Sequence, residues 1–201
     1  MVDKILVEIN ELDKIFGFSD ITEVRMIKDI INETGFNIET SRLLLVPISE
    51  KFAYDYFTEF NEEITKYQYL EPFKSLDSTR KFIDEFTELK ELGTNLVCCI
   101  LDKEYKFIGS IEIHLIDTKT PEVGLWIRKN EQRKGYGYEA ITGLTNFFRE
   151  HMDLDYFIYE ADRRNPNSIQ LVKALGGIEV GFNKAESNCG STLELNMYYI
   201  K

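Results

Sequence analysis

Glu122-Val123-Gly124-Leu125-Trp126-Ile127 runs into Arg128-Lys129-Asn130-Glu131-Gln132-Arg133-Lys134 and then Gly135-Tyr136-Gly137-Tyr138-Glu139-Ala140. The first six residues read as an apolar strand. The last few open an amphipathic helix expected to Glu139–His151, with Ala140, Ile141, Leu144, Phe147 and Phe148 on one face. A polar run separates the two. A diphosphate needs several hydrogen-bond donors in a small volume. The free N–H groups at a helix start supply them, at the favourable end of the helix dipole. Glycines let the backbone approach closely and adopt positive φ. Gln132, Arg133, Lys134, Gly135, Tyr136 and Gly137 thus have the form of an anion cradle, to which Arg133 and Lys134 add positive charge. A solvated glycine turn is the other reading.

Gly135-Tyr136-Gly137-Tyr138-Glu139-Ala140 also fits the dinucleotide fingerprint G-x-G-x-x-A, and Asp155 lies near the place of a ribose-binding acid. Context argues against that use. In a doubly wound fold the first glycine follows its strand directly, and several more strand–helix units follow. Here a polar run intervenes and only one unit follows.

Outward from the loop, strands are expected at Leu43–Pro47, Leu96–Leu101, Tyr105–Ile116, Tyr156–Glu160 and about 178–184 and 191–200. Helices are expected at about 49–60, at about 78–91 with Asp77 or Ser78 as cap and Gly93 as stop, and at Asn167–Leu175. The segment 62–73 reads as a loop rich in acids and aromatics. Residues 1–34 read as two helices: Ile5, Ile9, Leu12, Ile15 and Phe16 space one, and Val24, Ile27, Ile30 and Ile31 the other. Ser19 or Asp20 is a candidate N-cap between them, and Gly35 a C-terminal stop. The order predicts an α/β (α+β) domain on a mixed sheet over 37–201, with a helical extension over 1–36.

The 201-residue chain carries 24 Lys and Arg against 35 Asp and Glu, a net charge of −11. That balance disfavours nucleic acid and favours a cationic partner. No run is long and apolar enough to span a membrane, and Asp3, Glu8, Glu11 and Asp13 argue against a signal peptide. Cys98, Cys99 and Cys189 read as reduced thiols of a cytoplasmic protein. His114 and His151 are isolated, so no metal site is expected.

Five segments in order resemble the GNAT N-acetyltransferases, RimJ/RimL-like branch. Ile38–Leu45 resembles that branch's opening strand, Phe107–Ile111 its central strand, and Glu122–Ile127 the strand before the cofactor loop. Gln132–Gly137 matches the (Gln/Arg)-x-x-Gly-x-Gly loop, and Glu139-Ala140 is the usual continuation. Asn165-Pro166-Asn167-Ser168, with Ala174-Leu175-Gly176, resembles the Asn-x-x-Ser segment and the Leu-Gly that ends its helix.

The resemblance implies a mixed sheet splayed beside the cofactor strand, with acetyl-CoA entering the gap. The pyrophosphate is then expected on residues 132–137, near Tyr138. The pantetheine arm is expected along Leu125, Trp126 and Ile127, with Asn165 bonding it and Ser168 near the thiol. Ser168 is then a candidate to stabilise the leaving thiolate; capping its short helix is the other reading. Candidates for the general base are Glu160, then Glu122, then Glu112. Val172 stands where many members carry a tyrosine acid. Glu62, Glu63, Tyr67, Tyr69 and Glu71 are candidates to hold a cationic amine. The implied activity is acetyl transfer from acetyl-CoA to a primary amine, either a protein N-terminus or a small amine or amino-sugar. The alternative is a non-catalytic acyl-CoA-binding module. Residues 1–36 have no counterpart in the resemblance and are expected to pack on the sheet, cover the cleft or form a dimer surface.

Overall fold

Leu96–Asp102 is apolar from Leu96 to Leu101 because both faces of the strand are covered. Leu96, Cys98 and Ile100 point into one core, and Val97, Cys99 and Leu101 into a second. A computed structural model of the protein describes residues 19–188 and 190–201. The expected helix over Ile5–Phe16 and the thiol of Cys189 lie outside the described residues. Helix α1 (Ile21–Ile31) is followed by β1 (Ile38–Glu39), β2 (Leu43–Pro47), α2 (Ala53–Glu59), α3 (Glu62–Thr65) and α4 (Leu76–Leu92). Then come β3 (Leu96–Asp102), β4 (Phe107–His114), β5 (Glu122–Ile127), α5 (Tyr136–His151), β6 (Phe157–Asp162), α6 (Pro166–Ala174), β7 (Ile178–Glu186) and β8 (Thr192–Ile200).

The described strands form one eight-stranded sheet in the order β1-β2-β3-β4-β5-β6-β8-β7. Every pairing is antiparallel except β5 with β6, which is parallel and meets only at Glu122 and Ile158. Beyond that point the two strands part. One core packs α1, α5 and α6 on the sheet, with Ile27, Ile31, Leu144, Phe148 and Val172 fully or almost fully buried. The other packs α2 and α4, around Tyr56, Phe60, Phe82 and Trp126. In it the Tyr56 hydroxyl donates to Ser110 Oγ at 2.9 Å and accepts from Trp126 Nε1 at 3.4 Å, and Ser110 Oγ donates to Cys98 O at 3.1 Å, so all three buried polar groups are satisfied.

Several boundaries differ from the sequence reading. Ser75 caps α4, not Asp77 or Ser78: Ser75 and Ser78 exchange side-chain-to-backbone hydrogen bonds at 3.1 Å. α5 begins at Tyr136 rather than Glu139, since Gly135 (φ +83°) already turns the chain into the helix. α1 ends at Ile31 with Asn32 as its cap, and Gly35 (φ +83°) belongs to the turn into β1. The opening strand is broken at Thr40–Arg42 into the β1–β2 hairpin. β4 is shorter than Tyr105–Ile116 because Tyr105 and Leu115 have positive φ, +62° and +56°. The acidic segment holds the short helix α3, whose N-cap is Asn61.

Candidate functional site

The parting of β5 from β6 opens a cleft of about 570 Å³. Arg128 N–H bonds Ile108 O on β4 at 2.9 Å. Backbone groups alternate sides along a strand, so those of Leu125 and Ile127 face the cleft edge. Leu125, Trp126, Ile127, Gln132, Arg133, Gly135, Tyr136, Gly137, Tyr138, Asn165, Ser168 and Glu160 all line it. Glu122, Glu112 and Lys134 do not. A larger open groove of about 800 Å³ lies between β1 and the far flank of α5. It lacks Ser168 and Glu160, the residues for which a chemical role is expected, and both of these line the β5–β6 cleft.

At the cleft's α5 end, Arg133 (φ +64°) and Gly135 (φ +83°) are both left-handed. Left-handed residues alternating with ordinary ones turn successive N–H groups to one side, the geometry of an anion nest. Buried Glu131 holds this loop: its carboxylate accepts from Lys106 Nζ at 2.6 Å, Lys134 Nζ at 2.8 Å and Arg128 Nη2 at 3.3 Å. Lys106 foremost, then Lys134, bring its pKa down to about 2. Lys134 is therefore turned onto Glu131, and its charge is paired there. Gln132 Nε2 donates to Ile127 O at 2.9 Å, fixing the end of β5. Glu139 accepts from Thr40 Oγ1 at 2.7 Å and from Arg42 N and Nε at 2.6 Å, tying the start of α5 to the β1–β2 turn. This donor-rich, glycine-lined nest beside an unpaired strand edge fits a diphosphate joined to an extended amide chain.

Glu131→Gln is expected to lower stability by about 1.5–3 kcal/mol, the range for hydrogen bonds to charged groups. For a chain of this size that is a Tm loss of roughly 4–8 °C, read by thermal melting. Its folded pKa lies below the unfolded value, so the contribution is present above pH ~4.5 and is lost as pH falls towards 2.

On one wall, Asn165 caps α6: its Oδ1 accepts from Ser168 N at 3.3 Å. Ser168 is thus not the cap, which corrects the alternative weighed for it. Its Oγ lies 2.9 Å from the Tyr159 hydroxyl. Val172 is fully buried in the core. On the opposite side stands Glu160, to which Tyr69 OH donates at 3.4 Å. Burial raises the Glu160 pKa, and the Tyr69 bond offsets part of the rise. Burial, then the charge of Glu160, raises that of Glu122. Burial, Glu160 and Glu122 push Tyr69 up to about 12, so it stays a neutral donor. Glu112 lies 3.4 Å from His114 Nε2. Burial pushes the His114 pKa down, but Glu112 outweighs it and the net shift is upward.

The acid-and-aromatic segment is only partly free to meet a ligand. Glu63 pairs with Lys129, Glu71 with Lys74 at 4.0 Å, and the Tyr67 ring lies under Lys66 and Arg164. Three residues of the site were not singled out from sequence: Glu131, hidden in a polar run, Tyr159, which strand alternation could have placed inward with Phe157 and Ala161, and Asp162, which that alternation puts on the face of Glu160 and which is buried by its hydrogen bonds. Asp162 accepts from Arg164 Nε at 2.8 Å and Nη2 at 2.6 Å, and from Arg164 N and Glu194 N, so it fixes the turn that carries Asn165. Among the described residues no group of three His, Cys, Asp or Glu could hold a metal ion. No helix there is long and apolar enough to cross a membrane.

Comparison with known proteins agrees with this geometry. The family profile of the Acetyltransferase (GNAT) domain matches residues 42–178. The chain is 26% identical over 116 residues to the uncharacterized N-acetyltransferase p20 of Bacillus licheniformis, covering 56% of this chain and 65% of that protein. It is 27% identical over 128 residues to the ribosomal-protein-serine acetyltransferase of Escherichia coli (strain K12), covering 62% and 71%. The chain thus spans about two thirds of the length of these relatives. The structure of RimL, a ribosomal L7/L12 alpha-N-protein acetyltransferase in complex with coenzyme A, superposes with a TM-score of 0.72 at 19% identity, over 82% of this chain and 97% of that one. The chain belongs to the GNAT acetyltransferase family.

Proposed function

We propose that the protein moves an acetyl group from acetyl-CoA to a primary amine by direct transfer. The observation that carries this reading is the course of the cleft, which joins the nest at Arg133–Gly137 to Ser168 and Glu160. Bound acetyl-CoA supplies an activated thioester carbon. The backbone N–H groups of 132–137 hold its pyrophosphate, and Arg133 at the rim adds charge. The edge at Leu125 and Ile127, which no other strand pairs among the described residues, takes the pantetheine arm as an added strand, and an N–H of that edge polarises the carbonyl. Asn165 retains its amide N–H₂ for the arm. Glu160 accepts the amine's proton, while the neutral Tyr69 hydroxyl orients its carboxylate. Ser168 faces the departing sulfur.

A protein α-amine is the favoured acceptor, since two of the similar proteins are named as a ribosomal-protein-serine acetyltransferase and a ribosomal L7/L12 alpha-N-protein acetyltransferase. Glu160 and Tyr69 suit an amine that arrives as a cation, gives its extra proton to solvent and attacks in the neutral form. The buried, free Cys98 and Cys99 suit a reducing, cytoplasmic setting. The buried apolar Val172 at the tyrosine-acid position favours a second reading, an acyl-CoA-binding module without catalysis. Thiol release from acetyl-CoA, with seryl and alanyl peptides, polyamines and amino-sugars, separates the two. The enzyme releases thiol above background with at least one amine. A binder shows calorimetric binding of coenzyme A and background release with every one.

A further inference from the structure

We propose that Tyr159 is a positioning residue: by donating its own proton to Ser168 Oγ, it leaves the Ser168 hydroxyl to donate into the cleft. The inference rests on the reading of that cleft as the acetyl-CoA site. Tyr159 sits on β6 with its ring in the main core and only 4% of its surface exposed. Among the described residues its hydroxyl has one hydrogen-bond partner, Ser168 Oγ at 2.9 Å.

A buried O–H that donates to nothing is costly, whereas a hydroxyl oxygen that accepts nothing costs less. Tyr159 also borders the cleft, yet if Ser168 were the donor, the almost fully buried Tyr159 proton would have no acceptor among the described residues. The favourable arrangement has Tyr159 donating. The Ser168 oxygen then accepts on one side, and its proton must turn elsewhere. Ser168 N–H is already committed to Asn165 Oδ1, and the residue lines the cleft, so the free direction of the hydroxyl is the cleft.

The consequence falls on the leaving group. The N–C bond forms as the C–S bond breaks, the C–S electron pair goes to sulfur, and the amine's proton goes to Glu160. Ser168 donates a hydrogen bond to the charged sulfur without giving up its proton. Tyr159 makes that bond available from the outset, so no hydroxyl reorientation is needed at the moment of reaction. It also explains how a chain with Val172 at the usual tyrosine position keeps a donor beside the sulfur: the tyrosine acts from the strand, through the serine.

The test uses Tyr159→Phe, which keeps the ring and removes only the hydroxyl, with Ser168→Ala and the double variant, all in the full chain. The probe is coenzyme A itself, whose bound thiol is titrated by its ultraviolet thiolate absorbance. Wild type is expected to ionise bound thiol at lower pH than free coenzyme A. Tyr159→Phe and Ser168→Ala should each move it back towards the free value, with the double variant no further than Ser168→Ala. In turnover, Tyr159→Phe should lower kcat about tenfold with KM for acetyl-CoA unchanged, less than the ~10²-fold of a lost donor. A Tyr159→Phe protein with wild-type thiol ionisation overturns the proposal. So does a Ser168→Ala protein with wild-type ionisation, a readout that stands even if Tyr159→Phe does not fold. Failure of wild type to bind coenzyme A would instead overturn the function proposed for the cleft, and this inference with it.

Discussion

Glu160→Gln lowers kcat by about 10²–10³-fold at neutral pH and flattens the acid limb of the rate–pH profile, within the range expected for a lost general base. The direction of the limb follows from the raised pKa of Glu160. As pH falls through that raised value the carboxylate protonates and no longer accepts a proton. In wild type, therefore, the rate falls on the acid side above the pH of an ordinary glutamate. Tyr69→Phe removes the hydrogen bond to Glu160 and should shift the limb further up, since that bond favours the charged form. The stability effect has the opposite sign. A carboxyl whose folded pKa is raised contributes stability below its unfolded pKa and loses it as pH rises through the folded value. Glu160→Gln should thus melt at a higher temperature than wild type at neutral pH. A variant that loses activity and gains stability separates a functional carboxylate from a structural one. An unchanged profile would contradict the role of Glu160 as base.

Asp162→Ala should cost about 2–4 kcal/mol, a Tm loss on the order of 10 °C by thermal melting. The Asp162 side chain is fully buried, accepts four hydrogen bonds and faces Arg164, which is half exposed. Removing the acid leaves two backbone N–H groups unpaired. Because Arg164 can turn to solvent, the cost stays below that of two stranded buried charges. Burial alone would raise the Asp162 pKa, but Arg164, together with the Arg164 and Glu194 N–H groups, outweighs it and the net shift is downward. The stability it adds is therefore present above its unfolded pKa and is lost as pH falls through the folded one. The same clamp sets the turn before Asn165, so Asp162→Ala should also lower kcat even well below its Tm.

The strand Leu96–Leu101 was legible because an unbroken apolar run marks a strand covered on both faces. The strand–cradle–helix unit at Glu122–His151 was legible because glycine and helical periodicity are local signals. What was not legible depended on distance along the chain. Nothing near Glu131 announces that Lys106 folds back onto it from the β3–β4 turn, or that this makes a glutamate in a polar run one of the most buried residues of the site. Tyr69 meets Glu160 across 91 positions, through the packing of a loop on β6. The partner of Ser168 was equally hidden: Tyr159 reads as a core aromatic, and only the register of β6 against α6 shows its hydroxyl meeting the serine. The pairing of Lys134 with Glu131 was hidden for the same reason, since a lysine's charge is visible in sequence and its partner is not.

The cleft between β5 and β6 is proposed to carry an acetyl group from coenzyme A to an amine. The most direct measurement is mass spectrometry of candidate acceptors after incubation with acetyl-CoA labelled in the acetyl group. The predicted result is the label on a primary amine of an acceptor, formed by wild type and strongly reduced in Glu160→Gln. Label that stays on coenzyme A, or appears only as free acetate, with every peptide, polyamine and amino-sugar would contradict it.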